Sequence, residues 1–417
     1  MPDAKASDRL WHYSVKRRNA LQAICLSLCA GTCREARAND AQRTRDGASE
    51  QLNANVIRVG PNEKLKTIAH AQRIARDGDV VELEPAVYVN DVATWTQNNI
   101  TIRGTGVGAR LLAEGTSAEN KAIWVIKGTN IKIERIEFSG ARVADENGAG
   151  IRHEGGSLLI RNCVFENNQM GLLTHDNAKA ELEIDASEFR NNAVSKTHHY
   201  GARIGHQIYV GRISRFVLRE CYIHDGAFGH LVKSRAKQNY VCYNFIGDTN
   251  RGRSSYELEF PDGSIAYVIG NVVQQGRLTE NRTLISFGAE GYRGSRQELY
   301  LINNTLIDDH GYGIFLNVRK GADAIWVINN LLLGDGSIPA YSSRLIANHK
   351  VALSDLPLAY KGDFRLARHS ALVGKAVEPG IINGIELRPR REYVHPLQSR
   401  VVSHAVLNPG ALQTLAD

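Results

Sequence analysis

The stretch Gly229-His230-Leu231-Val232-Lys233-Ser234-Arg235 sets a lysine and an arginine two residues apart in a run that alternates like a strand. Two similar runs flank it, Gly205-His206-Gln207-Ile208-Tyr209 and Ser255-Tyr256-Glu257-Leu258-Glu259. Side chains alternate across a strand, so if Ile208, Val232 and Leu258 face a packed interior, their neighbours face outward. One outward column then reads Glu154, His175, Tyr209, Lys233, Glu259, Phe287 and Asn317. Gln207 and Glu257 form a second column beside it, and Arg235 lies two places past Lys233. If the three runs are neighbouring strands, these groups stand about 4.8 Å apart. Cations and carboxylates at that spacing shift one another's protonation.

These types suit chemistry on a uronic-acid sugar. A cation on the sugar carboxylate acidifies the C5 proton, a base removes it, and an acid protonates the leaving oxygen. Lys233, Tyr209 and Arg235 are the candidate catalytic groups, with Glu257 and Glu259. His175, Gln207, His199, Tyr200, Arg251 and Arg253 are candidate substrate contacts, the last four on insertions that enter this strand. A carboxylate beside Lys233 favours its charged form, so Tyr209 is the better base and Lys233 the better neutraliser of substrate charge. Two other readings compete. Glu257 and Glu259 lie about 6.5–7 Å apart along one strand and suit acid–base hydrolysis of a glycosidic bond. A polar outer strand face with alternating charges is also what a non-catalytic binding or envelope solenoid presents. His206 and His230 fall in a column that is apolar elsewhere and read as structural. Asp225 and Asp262 fall on turns and are weaker candidates.

The elements that would hold such a column are visible as a repeat. Cys163, Ser187, Cys221, Asn244, Asn271, Asn304 and Asn330 each precede a large apolar residue by two places, at intervals of 24, 34, 23, 27, 33 and 26 residues. A period of this size marks a solenoid, in which no unit can bury its apolar face alone. Each unit is rich in Val, Ile, Phe and Tyr between turn residues, so the units are strands. The four asparagines predict an interior ladder of amide hydrogen bonds along the axis.

From Val56 to Gly336 the repeat resembles the right-handed parallel β-helix proteins, the fold of pectate-lyase-like and related carbohydrate-active proteins. The resemblance implies an all-β solenoid, a polysaccharide partner and a secreted or periplasmic location. Lys233-Ser234-Arg235-Ala236-Lys237-Gln238-Asn239-Tyr240 followed by Asn244 is similar to the stretch around the base lysine of alginate and chondroitin-type lyases, which places that lysine at Lys233. The arginine that this likeness expects one coil further on is missing from Tyr256-Glu257-Leu258-Glu259, so Arg235, Arg251 or Arg253 would have to substitute. The polygalacturonase-type hydrolases use aspartate motifs that the chain lacks. The expectation is therefore a lyase or epimerase, with a hydrolase and a binding solenoid as alternatives.

Residues 1–38 read as a secretory leader: a basic start, an apolar run from Ala20 to Thr32 and a small-residue cleavage site at Ala36-Arg37-Ala38. That run is shorter than the roughly 20 residues a bilayer span needs. The leader carries four of the chain's formal +7 charges, so the remainder is only mildly basic and gives no sign of nucleic-acid binding. Three of the six cysteines fall in it, and Cys163, Cys221 and Cys242 read as buried thiols. No zinc spacing occurs; no cofactor is expected, with calcium left open, and the chain is expected to be a monomer. Residues 39–55 read as a flexible lead-in. Asn62 is expected to cap an amphipathic helix from Glu63 to Arg76 whose apolar face (Leu65, Ile68, Ala69, Ile74) plugs the open end of the solenoid. Residues 337–417 are expected to be an irregular extension packed along the coils.

Overall fold

Each turn of the chain is three short strands, most of them three to five residues long, joined by bends. The computed structural model describes residues 54–194, 204–248, 251–338, 344–403 and 406–416. Every element below belongs to the unit formed by residues 49–382 and 386–417. Corresponding strands of successive turns pair in parallel and build three long sheets. The architecture is an all-β, right-handed parallel β-helix. Sheet I holds twelve strands from Val56–Val59 to Arg344–Ile346, and sheet II eleven from Ala86–Val89 to His349–Val351. Sheet III holds nine: β1 (Ala93–Trp95), β2 (Ala122–Ile126), β3 (Ala149–His153), β4 (Met170–Thr174), β5 (Ile208–Val210), β6 (Val232–Ser234), β7 (Leu258–Phe260), β8 (Thr283–Phe287) and β9 (Ile314–Val318).

Inward residues of all three sheets meet in one continuous core, with a run of aromatic contacts from Trp95 through Trp124, Phe138 and Phe165 to Phe189. The bend from sheet I to sheet II is a single left-handed residue, as at Asn162, Tyr243, Gly270, Asn303 and Asn329. Asparagine and glycine tolerate that conformation best. The residue after it points inward and forms the ladder: Asn244 Nδ2 donates to Asn271 Oδ1 (2.9 Å), Asn271 to Asn304 (3.0 Å) and Asn304 to Asn330 (3.0 Å). Ser187, Cys163 and Cys221 occupy the same column toward the N-terminal end; the Cys221 N–H donates to Asn244 Oδ1. The three described cysteines are buried. Asn348 extends the ladder (2.8 Å from Asn330 Nδ2), so a further partial coil follows Gly336, where the sequence reading ended the solenoid.

Helix α1 (Ile68–Ile74) does cover the first coil, but it is shorter than the pattern predicts. Thr67, not Asn62, caps it, and the Asp91 carboxylate accepts from Ile68 N and Ala69 N. Ile68 and Ala71 are buried while Ile74 is about half exposed, because seven residues make only two turns and Ile74 falls past the contact with the core. At the other end, the segment after Val351 lies on the outer face of sheet II. Leu356, Phe364, Leu366, Tyr393 and Ala411 pack on Phe245, Val272, Ile307 and Leu331. Asn303 Nδ2 donates to Asn408 O, and Ala411 N donates to Thr305 Oγ1. Among the described residues no helix is long and apolar enough to cross a membrane.

Candidate functional site

Sheet III positions the candidate residues. β5, β6 and β7 are three residues each, and their register sets Tyr209 beside Lys233 and Lys233 beside Glu259. Ile208, Val232 and Leu258 are fully buried beneath them. The bend after β6 aims Arg235 back over the same face. Ser234 Oγ donates to Asn239 Oδ1 (2.5 Å) and accepts from Ala236 N (3.2 Å), which clamps that bend. Arg235 Nε then donates to the Tyr209 hydroxyl oxygen at 3.1 Å. Lys233 Nζ and the Arg235 guanidinium lie 5.7 and 5.9 Å from the Tyr209 ring centre.

The outer column keeps Asn317 but differs from the expected one at Glu154, His175 and Phe287. Strand pairing continues from Tyr209 to Leu173 and Arg152 on one side and from Glu259 to Ser286 and Asn317 on the other. Phe287 is an interior residue, fully buried beside Phe260. Glu154 and His175 lie in the turns after their strands. Glu154 pairs there with Lys121 (2.8 Å), and His175 is exposed. The second column is not outward at all. Gln207 is buried, accepts from Asn192 Nδ2 (2.6 Å) and donates to Asn192 O (3.0 Å), continuing a short ladder from Asn168. Glu257 is fully buried, and neither carboxylate oxygen has a hydrogen-bond partner. Burial, then repulsion from Asp248, holds its carboxyl well above the ordinary range. Strict alternation fails at these positions because they precede the paired residues, where the backbone is still turning the corner from sheet II. Glu257 and Glu259 therefore do not share an open face, and the paired-carboxylate hydrolase has no site here. Arg251 and Arg253 are exposed on the turn before β7. His199 and Tyr200 lie outside the described residues.

Four groups complete the cluster: Glu290, which the sequence reading did not consider, Asp262, which it ranked as a weaker turn candidate, and His206 and His230, which it read as structural. Glu290 reaches in from the loop after β8: Lys233 Nζ donates to Oε1 (2.8 Å) and Arg235 to Oε2 (2.5 Å). Asp262 takes a second arm of Arg235 and Arg212 Nε (2.9 Å). His230 Nδ1 lies 2.8 Å from Glu259 Oε2, at ion-pair distance but without hydrogen-bond geometry, and Glu259 Oε2 also sits 3.1 Å from Lys233 Nζ. His206 accepts from His230 N at Nδ1 (2.9 Å) and sets its ring edge against Tyr209, so its proton sits on Nε2. No sequence pattern flags Glu290, which is 57 residues from Lys233. His230 and Asp262 were visible as a strand residue and a turn residue, without a sign of their partners.

Burial raises the Glu259 carboxyl, but His230 and Lys233 outweigh it and hold it below its ordinary value. Burial likewise opposes Glu290, yet Lys233 and Arg235 bring it down to about 2. The buried His206 imidazole is pushed well down, further by the positive groups around it, and burial also lowers His230 against the pull of Glu259. The His206 ring is therefore neutral near pH 7. Lys233 is only 11% exposed at its side chain and Arg235 10%, so the site is a covered cluster rather than an open groove. Among the described residues no group of three or more His, Cys, Asp or Glu side chains has the arrangement to hold a metal ion.

No protein-family model matches the sequence, and none of the curated proteins matches it either. Among solved structures the chain is similar to the crystal structure of pectate lyase Pel9A, with a TM-score of 0.54 and 14% identity, over 87% of this chain and 97% of that one. At that identity the likeness concerns backbone architecture: this chain has the parallel β-helix fold of a pectate lyase.

Proposed function

We propose that the protein is a carbohydrate-active β-helix protein that takes an anionic, uronic-acid polysaccharide on the outer face of sheet III and acts on it as a lyase or epimerase. The observation that carries this reading is the convergence of Lys233 and Arg235 on Tyr209 over the central coils, Arg235 at its hydroxyl and Lys233 near its ring. Two cations at one point suit a sugar carboxylate, whose neutralisation acidifies the adjacent carbon. Tyr209 is the acid–base group: its oxygen accepts from Arg235, so developing negative charge on it is stabilised by a donor already in place. Lys233 and Arg235 hold the carboxylate, and Glu259 with His230 orients Lys233. Exposed Arg251 and Arg253 on the adjoining turn are suited to contact a longer chain. The leader-like segment 1–38 fits a secreted or periplasmic protein.

A panel of anionic and neutral polysaccharides, scored for new double-bond absorbance and for reducing ends, tests the reading. Unsaturation on a uronan supports a lyase. Exchange of the C5 proton with solvent without cleavage supports an epimerase. One observation favours the non-catalytic reading: each cation is already paired with carboxylates. Retained binding with neither reaction would establish that alternative.

A further inference from the structure

Glu290 holds the position that a ligand carboxylate would take. Its two oxygens bridge the two cations, one to Lys233 Nζ (2.8 Å) and one to Arg235 (2.5 Å). It lies on the solvent side of them, 46% exposed at its side chain against 11% and 10% for its partners. Glu259 and Asp262 neutralise the same cations from beneath and are 3% and 6% exposed. One carboxylate of the cluster is therefore exchangeable and two are fixed.

The loop that carries Glu290 is held at its backbone, while this side chain is part-exposed and held by its ion pairs to Lys233 and Arg235. Gly288 N donates to Phe260 O (2.8 Å), Glu290 N to Pro261 O (3.0 Å) and Arg293 N to Asp262 O (2.8 Å), which ties the loop to the turn after β7. The Tyr292 hydroxyl donates to Arg319 O. Gly288 has φ +80, and a Cβ there would meet the Tyr292 ring at 2.3 Å, so the tight entry to the loop requires glycine. With the backbone fixed, rotation about the Glu290 side-chain bonds uncovers Lys233 and Arg235 without unfolding anything.

We infer that Glu290 is a built-in occupant of the carboxylate subsite, and that a uronate enters by exchanging its own carboxylate for that of Glu290. This rests on the reading of sheet III as an anionic-sugar site. Exchange makes recognition selective: a neutral sugar cannot replace the charge that Lys233 and Arg235 lose when Glu290 leaves, whereas a uronate can.

The test is calorimetric binding of hexameric galacturonate, mannuronate and guluronate, with cellohexaose as the neutral control, to the wild-type chain, Glu290→Gln and Glu290→Asp. Thermal unfolding of each variant shows that it is folded. Removing the competing charge should tighten binding of the accepted uronate about tenfold in Glu290→Gln, the size of one charge-assisted contact. The shorter Glu290→Asp should fall between that variant and wild type, and cellohexaose should respond to neither. Adding Lys233→Met to Glu290→Gln should abolish the gain. Uronate binding that is unchanged or weaker in Glu290→Gln overturns the inference and leaves the anionic-sugar reading standing. Absence of uronate binding in all three proteins overturns both.

Discussion

At the scale of single residues, the cluster separates groups by what surrounds them. Tyr209 has one cationic donor on its oxygen and two cations near its ring, so it serves where negative charge develops. Tyr209→Phe should therefore lower kcat on an accepted uronan by about 10²–10⁴-fold, read by absorbance at saturating substrate. Lys233→Ala should both raise KM and lower kcat, because a cation on the carboxylate binds the sugar and also stabilises the charge that develops when its C5 proton leaves. Full activity in both variants would move the active site off this face. The sequence pattern places Lys233 on an outward face. That side chain is packed between Glu259 and Glu290, so its loss leaves a buried carboxylate short of a partner. Lys233→Ala should cost on the order of 1–3 kcal/mol in urea denaturation.

Glu257 and Asp248 carry a pH dependence of their own. Burial raises both, Asp248 to about 6 and Glu257 well above its ordinary value. A carboxyl raised in the folded state binds its proton more tightly there, so its contribution is full below the unfolded value and is lost as pH rises through the folded one. Stability should accordingly fall as pH climbs from about 4 through 6 and beyond. Glu257 fills a position that is leucine in the coils on either side, Leu231 and Leu284, and its oxygens are unpaired. Glu257→Gln should flatten the alkaline part of that decline, seen as a smaller difference in Tm between pH 5 and pH 8. A steeper decline would count against the assignment. Glu290 works in the opposite sense: its carboxyl is depressed to about 2, so its ion pairs persist above about pH 4.5 and are lost only as pH falls toward 2.

At the scale of elements, the ladder is the most demanding feature. Asn271 accepts from the backbone and side chain of Asn244 and donates to Asn304 Oδ1 and Val241 O, all out of water. Asn271→Leu keeps the volume and strands those partners, at a cost of about 1–3 kcal/mol by chemical denaturation. A change under about 0.5 kcal/mol would mean that the column is held by packing alone. Helix α1 shows the limit of pattern: the periodic apolar residues extend from Leu65 to Ile74, yet the helix spans only Ile68–Ile74 because Asp91 binds its first N–H groups and fixes where it starts.

At the scale of the whole molecule, the C-terminal segment covers an apolar face that the coils alone would expose. Phe245, Val272, Ile307 and Leu331 point out of sheet II and are buried by that segment. Glu392 is fully buried there and accepts from Arg400, Gln413 N and Thr414 N, which locks the end of the chain. A chain ending at Ala352 should bind a hydrophobic dye and elute as aggregate in size exclusion, whereas the full chain should do neither. Clean monomeric behaviour of the shortened chain would show the segment to be dispensable.

The sequence by itself determined the solenoid, its strand columns and the inward position of the ladder. Those follow from local rules that repeat in every coil: apolar alternation, and one left-handed residue before an asparagine. It also placed Tyr209, Lys233 and Glu259 side by side, since parity within a paired strand leaves no other choice. Only the tertiary structure decided which outward residues meet water. Gln207 and Glu257 turn inward because alternation lapses where the chain rounds a corner, and Phe287 goes inside because the register is one residue off the pattern. Glu290 closes over Lys233 and Arg235 from a loop 57 and 55 residues away. That contact depends on how many coils separate two segments and on which loop is long enough to fold back, and no local pattern of residues encodes either.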